Sequence, residues 1–588
     1  MPQLSNSRYE TLVRIIEKFC QEAPNKLASV YRPDPINQVE MARQAKTRAY
    51  CHLYLLVKFG LMDFQSREQL ITDGSQDGGL DAYYIDQNNK KVYLIQSKFH
   101  HSDQAFENEA VGAAELMKTE FERILAGHKT DRLGNCFNDK VQRFQAKFQK
   151  TKGCKPLVVF LANINLNDTR LKQLVGDFQF DIFNSKRVYK ELVFNLCAGD
   201  YTTPETVEID INKSDKARLS LEQEIKIKSG RCGVKVVFAP SREIGRITAK
   251  YKNAILLHNP RNYLSLSRNS VNEQISDSIT KRRTNEFAIL NNGITIFADN
   301  AEIDPRTGSS KRALLTLTNP QIINGGQTAY TLGDIYENKR HHLFAGKEVM
   351  LKIVQLGSRK TNRDSLIEAI SNATNRQTKI DEADRRSNST VFGEIQRRIY
   401  SDYGYFFEKK RGEFFSGLNE GFLAEADIIN RSVFLKAYLA FGGDPSSCRS
   451  KGEKTLFQHD FFKKLFPNPN VYIEALFAYR IFARVTQIEK QERRNRYGAR
   501  KYGNALRYGR FAVVSAVGVI APKVTGRENF DAIAQNQVSH VLSKWKKFER
   551  YVRKKRSNKD YFADRAEGFD NYYKGKTLND DIRAFSFR

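Results

Sequence analysis

The chain has 588 residues, 40% hydrophobic and 11% aromatic, with 96 Lys/Arg against 67 Asp/Glu and a net charge of +29. It is too long for one ordinary domain and too apolar for a disordered chain, so two to four packed domains are expected. A positive excess this large repels itself unless a polyanion is near, which makes nucleic acid the leading partner class. Seven scattered cysteines without a CxxC pair argue against a disulfide framework or a zinc ribbon. No apolar run reaches the length of about 18 residues that a membrane span needs, and the N-terminus lacks a signal-peptide core. No membrane partner and a cytoplasmic location are expected.

In chain order, residues 7–20 and 37–59 read as helices, the second stopped by Gly60. Strands are expected at 80–86 and 91–98 around the polar turn DQNNKK. A long helix at 105–126 and a buried strand at 155–164 complete an α/β unit over 1–165. RVYKELVFNLC and TVEIDI, within 186–212, read as two further strands, and the charged stretch 213–230 as a link. The pattern renews at 234 with strand KVVFAP, a helix at 241–250, the Asn-rich run LLHNPRNYLSLSRNSVNEQI, and strands at 286–298 and 313–324. The rest is mostly helical. The expected fold class is α/β multidomain, with domains at 1–165, 166–233 (a connecting α/β segment), 234–450 and 451–588.

From Arg484 to the end, 25 Lys/Arg stand against 11 Asp/Glu, so nearly half of the excess charge is C-terminal. There RRNRYGARKYGNALRYGR interleaves Arg and Tyr, a composition in which cations neutralise phosphates while rings stack on bases or pack inward. Arg493, Arg494, Arg496, Arg500 and Lys501 are the candidate nucleic-acid-binding residues; a helix with a solvated basic face is the alternative. His341 and His342 have no third ligand nearby in sequence and read as surface residues.

The stretch QDGGLDAYYIDQNNKKVYLIQSK, residues 76–98, carries the clearest chemistry. In the second strand Val92, Leu94, Gln96 and Lys98 share one face. The first two belong in a core, and burying Lys98 there without an anionic partner would cost several kcal/mol. Antiparallel pairing brings Asp81 close to Gln96 and Lys98, while Gly78 and Gly79 let the backbone turn sharply before it. Asp81 and the carbonyl oxygen of Gln96 suit a divalent cation held by few oxygen ligands, Mg²⁺ or Mn²⁺, and Lys98 suits a developing phosphoryl charge.

This stretch resembles the PD-(D/E)xK nuclease superfamily, in its Mrr-like restriction branch, where GDGGxD is followed by a strand ending in QxK. Asp81, Gln96 and Lys98 match those positions one by one, and Asp77 matches the first Asp of the supporting loop with Gly78 and Gly79. The resemblance covers about residues 40–165 and implies a restriction-endonuclease-like αβ domain. The family usually adds a glutamate from the preceding helix; Glu40 and Glu68 are the candidates, and neither falls clearly at that place.

Three further pieces follow: FAILNNGITIFAD (287–299), PQIINGGQTAYTL (320–332) and AISNATNRQTKIDEAD (369–384). Each sets amides in a tight turn among apolar residues. Asn292, Asn324, Gly325, Gly326, Gln327, Thr328, Asn375 and Gln377 are candidates for a nucleotide or phosphate, since N–H groups at a helix start attract anions. The alternative is a set of glycine turns whose amides cap neighbouring backbone. Together the pieces resemble the abortive infection phage resistance (AIPR) family, whose NNGI, (I/V)NGxQT and TNxQ segments occur in that order; the resemblance covers about 235–450. It implies a bacterial or phage-related defence protein, often encoded near restriction systems. A fainter likeness, of fold only, is to ParB-type nucleotide proteins; Gln327 and Thr328 stand where that family has Arg.

The expected function is a metal-dependent endonuclease in bacterial anti-phage defence, with DNA favoured over RNA because the resemblance is to restriction enzymes. Two strand cuts make a homodimer the economical assembly. The alternative is a non-catalytic nucleic-acid or nucleotide sensor associated with a restriction-modification system, whose proteins are then the expected partners.

Overall fold

The structure, a computed structural model, describes residues 8–151, 153–212, 221–227, 230–259, 271–305, 312–338, 340–356, 367, 370, 390–526, 529–563 and 568–587. It is a mixed α/β protein with several small sheets and many helices. Two units pack separately. One runs from Asn6 to Arg376 and takes in Gly412–Glu425; the other is built from Gln377–Arg411 and Ala426–Arg588. Among the described residues no helix is long and apolar enough to cross a membrane.

The first unit opens with the helix Arg8–Glu22, which buries Leu12, Ile15, Ile16 and Phe19 along one stripe. The Val39–Phe59 helix ends where expected, on Gly60 in the left-handed region (φ 66°). The hairpin also stands: β1 (Ala82–Asp86) pairs antiparallel with β2 (Lys91–Ser97), from Ala82 opposite Ile95 to Asp86 opposite Lys91. Strand β3 (Lys155–Leu161) adds parallel to β2, and β4 (Gln179–Ile182) adds parallel to β3. Val92, Leu94, Val158 and Phe160 bury one face of this sheet with Phe121, Phe137 and Phe144.

Two sequence expectations fail here for identifiable reasons. The helix expected at 105–126 is three short pieces, Asp103–Asn108, Ala113–Leu116 and Phe121–Leu125. Between the first two, Val111 donates its N–H to Asn163 O at 2.9 Å and Gly112 is extended, so a link to the end of β3 overrides helix propensity. RVYKELVFNLC is helical, through Ser185–Arg187, a π turn Val188–Val193 and Phe194–Ala198. Leu192, Val193, Leu196 and Cys197 are all buried, and a short apolar run of that kind does not reveal its period.

The central part of this unit holds a sheet β5 (Thr206–Asn212), β10 (Arg312–Thr318), β9 (Asn300–Asp304) in that spatial order, and a five-stranded sheet. The latter runs β11 (Gln321–Asn324), β8 (Ile294–Ala298), β12 (Glu348–Leu356), β7 (Gly230–Pro240), β6 (Leu221–Ile227). Part of the expected charged link is thus strand β6, paired antiparallel with β7 at the sheet edge. Its residues 222–226 are exposed, and charge on an edge strand discourages pairing with another chain. The run expected as one strand at 313–324 is split between two sheets, with Asn319 at φ 47° before Pro320. The start of 286–298 is a helical turn, Phe287–Leu290, before β8 begins.

The NNGI and INGGQT turns touch. A Cβ on Gly325 would stand 2.7 Å from Gly293 O and 3.0 Å from Ile294 Cα, and φ there is +81°. A Cβ on Gly326 would stand 2.7 Å from the side-chain nitrogen of Asn259, a residue only 2% exposed. Both glycines therefore let backbone and amides pack where a side chain has no room.

The second unit packs the helices Arg431–Phe441, Tyr472–Glu492, Arg510–Ile520 and Phe530–Lys554 around one aromatic core. Trp545 is fully buried, and its ring N–H donates to Tyr573 Oη at 2.9 Å; that hydroxyl donates to Glu549 at 2.8 Å. The mostly helical expectation holds, with one short parallel pair, β13 (Phe406–Glu408) and β14 (Ile428–Asn430).

The glycine contact gives a stability prediction. Gly325→Ala forces both a strained φ and a clash with backbone, at a cost of about 2 kcal/mol or more. Gly393→Ala, inside the Thr390–Tyr403 helix with nothing within 4 Å of the added Cβ, is expected to stabilise by up to about 1 kcal/mol. Urea unfolding, with hydrogen exchange of the β8 and β11 amides, measures both.

Candidate metal centre

Asp81 sits at the mouth of β1 and is tied down from two sides. Its N–H donates to Ile95 O (2.9 Å), and its C=O accepts from the N–H groups of Thr72 (2.9 Å) and Asp73 (3.0 Å). The carboxylate accepts from Ser97 N–H at 2.6 Å. These bonds bracket Gln96 between Ile95 and Ser97. They also draw segment 70–73 along the outer edge of β1, where Ile71 bridges to Ala82 and Tyr83 N–H reaches Leu70 O.

The loop between these two segments folds inward. Gly78 and Gly79 both have positive φ (64° and 77°), and a Cβ on Gly78 would meet the Phe137 ring at 2.9 Å. The Asp77 carboxylate closes the turn by accepting from Gly79 N–H (2.8 Å) and Gly74 N–H (3.1 Å). As a result Asp73, Asp77 and Asp81 each bring an oxygen within 4.8 Å of the others. The carbonyl oxygen of Gln96 is buried and has no hydrogen-bond partner, an arrangement that costs about 1–3 kcal/mol unless a ligand fills it. The donor set is all oxygen, which fits Mg²⁺ or Mn²⁺.

Lys98 follows directly on β2. Its ammonium pairs with Glu115 at 3.0 Å, with the side chains 45% and 41% exposed. A pair that open contributes about 0–1 kcal/mol, so it does not hold Lys98 against a stronger anion. Neither upstream glutamate joins the cluster. Glu40 is 72% exposed beside Arg43, and Glu68 is bound to the buried Tyr31 and His52. The preceding helix instead supplies Arg48, which makes a close ion pair with Asp73 (2.5 Å) without hydrogen-bond geometry. Sequence reasoning missed Asp73 and Arg48. The signal for Asp73 was the recurrence of Asp every fourth position at 73, 77 and 81.

Crowding sets the protonation of the site. Burial pushes the Asp77 carboxyl up to about 6, although the Gly79 and Gly74 N–H groups favour its ionised form. Asp81 is driven well above the usual carboxylate range by burial first and then by repulsion from Asp77 and Asp73. Asp73 is raised by burial, against the attraction of Arg48.

The central amides serve their neighbours. Asn324 Oδ1 accepts from Gly325 N–H (2.8 Å), and Thr328 Oγ1 accepts from Asn291 Nδ2 (3.0 Å). The asparagine that reaches the glycine turn is Asn291; Asn292 is exposed. Gln327 lies in the first turn of the Gly326–Glu337 helix, while Asn375 and Gln377 lie outside the described residues. In the second unit Arg493, Arg494, Arg496, Arg500 and Lys501 are all exposed around one tight turn. There Arg496, Tyr497 and Gly498 have left-handed φ of 49°, 57° and 61°, a strained run of the sort found at functional sites. Arg493 leans on Glu489 (3.1 Å), and Lys546 Nζ caps Arg500 O (3.1 Å).

A pH prediction follows from the raised carboxyls. The folded state binds more protons than the unfolded one between about pH 4 and 6, so this site destabilises the metal-free fold as pH rises through that window. Asp77→Asn is therefore expected to be more stable than the parent in EDTA at pH 7, by about 2–3 kcal/mol, with the difference vanishing near pH 4. Excess Mn²⁺ is expected to stabilise the parent and not the variant. Urea unfolding at a series of pH values reads all three.

The model of the AIPR protein family matches residues 256–560. No curated protein and no solved structure matches the chain. The matched stretch contains the NNGI and INGGQT turns that pack on each other and extends through the Arg/Tyr turn of the second unit. It covers more than half of the sequence, and the chain belongs to the AIPR protein family, a family of abortive-infection phage resistance proteins.

Proposed function

We propose that this protein is a metal-dependent phosphodiester hydrolase that cuts nucleic acid, DNA in preference to RNA, in anti-phage defence. The observation that carries the reading is the convergence of Asp73, Asp77 and Asp81, with the unsatisfied Gln96 carbonyl and Lys98 on the residues either side of Ser97, whose N–H binds Asp81. Asp81, Asp77 and Asp73 would hold Mg²⁺ or Mn²⁺, with Gln96 as a neutral oxygen donor. When bound, the cation supplies charge neutralisation at the scissile phosphate and an acidified water. Lys98 leaves its half-exposed pair with Glu115 to meet the negative charge that grows on the phosphoryl oxygens. Arg48 balances one carboxylate and keeps the net charge of the site low enough for a phosphate to approach. The exposed cations around Arg496 suit the polynucleotide backbone. The hairpin, the parallel strand β3 and the Gln-x-Lys ending support a restriction-endonuclease-like domain at the N-terminus.

The test is cleavage of plasmid, linear duplex, single-stranded DNA and RNA with Mg²⁺, Mn²⁺ or EDTA. Asp81→Asn and Lys98→Ala are each expected to lower the rate about 10²-fold or more, while Glu115→Gln changes it less than about tenfold. Cleavage that persists in EDTA, or at the parental rate in both variants, would remove the hydrolase assignment.

A further inference from the structure

A separate cavity of about 680 Å³ opens beyond the outer edge of β1, walled by Tyr83, Ile71, Phe64 and the Asp139–Gln149 helix. That volume is in the range of small-molecule sites. Lys140, Arg143 and Lys147 line it from one face of the helix, at spacings of three and four residues, and Lys26 faces it from another segment. The other face of the helix is core, through Val141 and Phe144.

The charges lining the cavity are unevenly committed. Glu22 is bound to the buried Arg67, and Glu68 to Tyr31 and His52. Asp63 accepts from Ser66 N–H and its hydroxyl. Among the described residues, none of the four cations stands within ion-pair distance of a carboxylate, although Lys140 lies near enough to Asp73 and Glu68 to attract both. Arg143 donates only to Asp139 O on its own helix (3.2 Å), and Lys147 to Tyr83 Oη (3.2 Å). The acids are spent internally and the cations are left for a ligand. Phe64 adds a half-buried ring, stacked on His52 (4.7 Å between centroids), to a wall that also holds Leu27, Ile71 and Tyr83.

We infer that this cavity binds a nucleotide phosphate, with Lys140, Arg143 and Lys147 holding the phosphates and the Phe64 side taking the base. The same chemistry is offered by a free nucleoside triphosphate and by the 5′-phosphorylated end of a polynucleotide. This site does not depend on the hydrolase reading.

The full-length protein in EDTA, which silences the carboxylate cluster, is titrated with fluorescent ATP and with a labelled 5′-phosphorylated dinucleotide, each competed by inorganic phosphate. Saturable binding of at least one probe is expected, weakened about tenfold or more by Arg143→Glu and by Lys147→Glu and unchanged by Lys186→Glu, a charge reversal at an exposed residue that does not line the cavity. Both substituted cavity residues are exposed, and circular dichroism confirms that the variants fold. The probe that binds more tightly tells the free nucleotide from the strand end. No saturation up to about 1 mM, affinity indifferent to both charge reversals, or probes that bind no better than phosphate alone would each overturn the inference. Because the readout is binding without metal, its failure is distinct from a failure of cleavage.

Discussion

Three carboxylates each bring an oxygen within 4.8 Å of the others, held by N–H and C=O groups of the hairpin and its inward loop, and the candidate site depends on that constraint. Ser97 N–H fixes Asp81, Gly79 N–H fixes Asp77, and Asp81 C=O fixes the segment that carries Asp73. None of these bonds removes the mutual repulsion. Like charges so close and so buried cannot all ionise without a cation, so the fold maintains an arrangement that is unfavourable by itself at neutral pH. Arg48 offsets one of the three charges. The remainder of the imbalance, and the empty hydrogen-bonding capacity of Gln96, are what a divalent ion would satisfy.

Lys98 contrasts with this. The sequence places it on the buried face with Val92 and Leu94, yet its side chain emerges at the sheet end, half exposed, beside Glu115. The acids of the site are held rigidly and the ammonium loosely. A cation bound by fixed oxygen atoms gains from preorganisation, whereas a group that must follow a changing phosphate gains from a weak prior attachment.

The hairpin was legible because alternation, a polar turn and the Gly-Gly step all point to one register, which sets Ala82, the residue after Asp81, opposite Ile95, the residue before Gln96. Asp73 showed only in the every-fourth-residue run of Asp, because it reaches the cluster through a backbone bond to Asp81 C=O from outside any regular strand, and hydrophobic periodicity carries no trace of such a bond. The same limit explains the broken helix at 105–126, where a tertiary hydrogen bond from Val111 outweighs local preference, and the helical 185–198, where burial on several sides erases the period. The Asn/Gly signatures were recognisable as family marks, but their part in the fold is packing. Gly325 lies against Gly293 O, Gly326 against Asn259, and Asn291 holds Thr328. Turns of this kind need glycine because only glycine permits the approach, and that reason is invisible until both partners are seen together.

The family region begins at residue 256, after the carboxylate cluster, and runs on to 560, across the division at 376/377 between the two units. Membership of the family therefore bears on the glycine-packed sheets and on the aromatic helical core, while the chemistry of Asp73, Asp77 and Asp81 stands on its own geometry. The charge follows the same partition. The acids that want a cation lie in the first unit, and the exposed Arg/Tyr turn lies in the second. A polyanion attracted to the cations gains nothing from the carboxylates until their charge is neutralised. A carboxylate cluster left unneutralised repels phosphate, so under the reading proposed above a cation at Asp73, Asp77 and Asp81 is the condition for a phosphodiester to approach them.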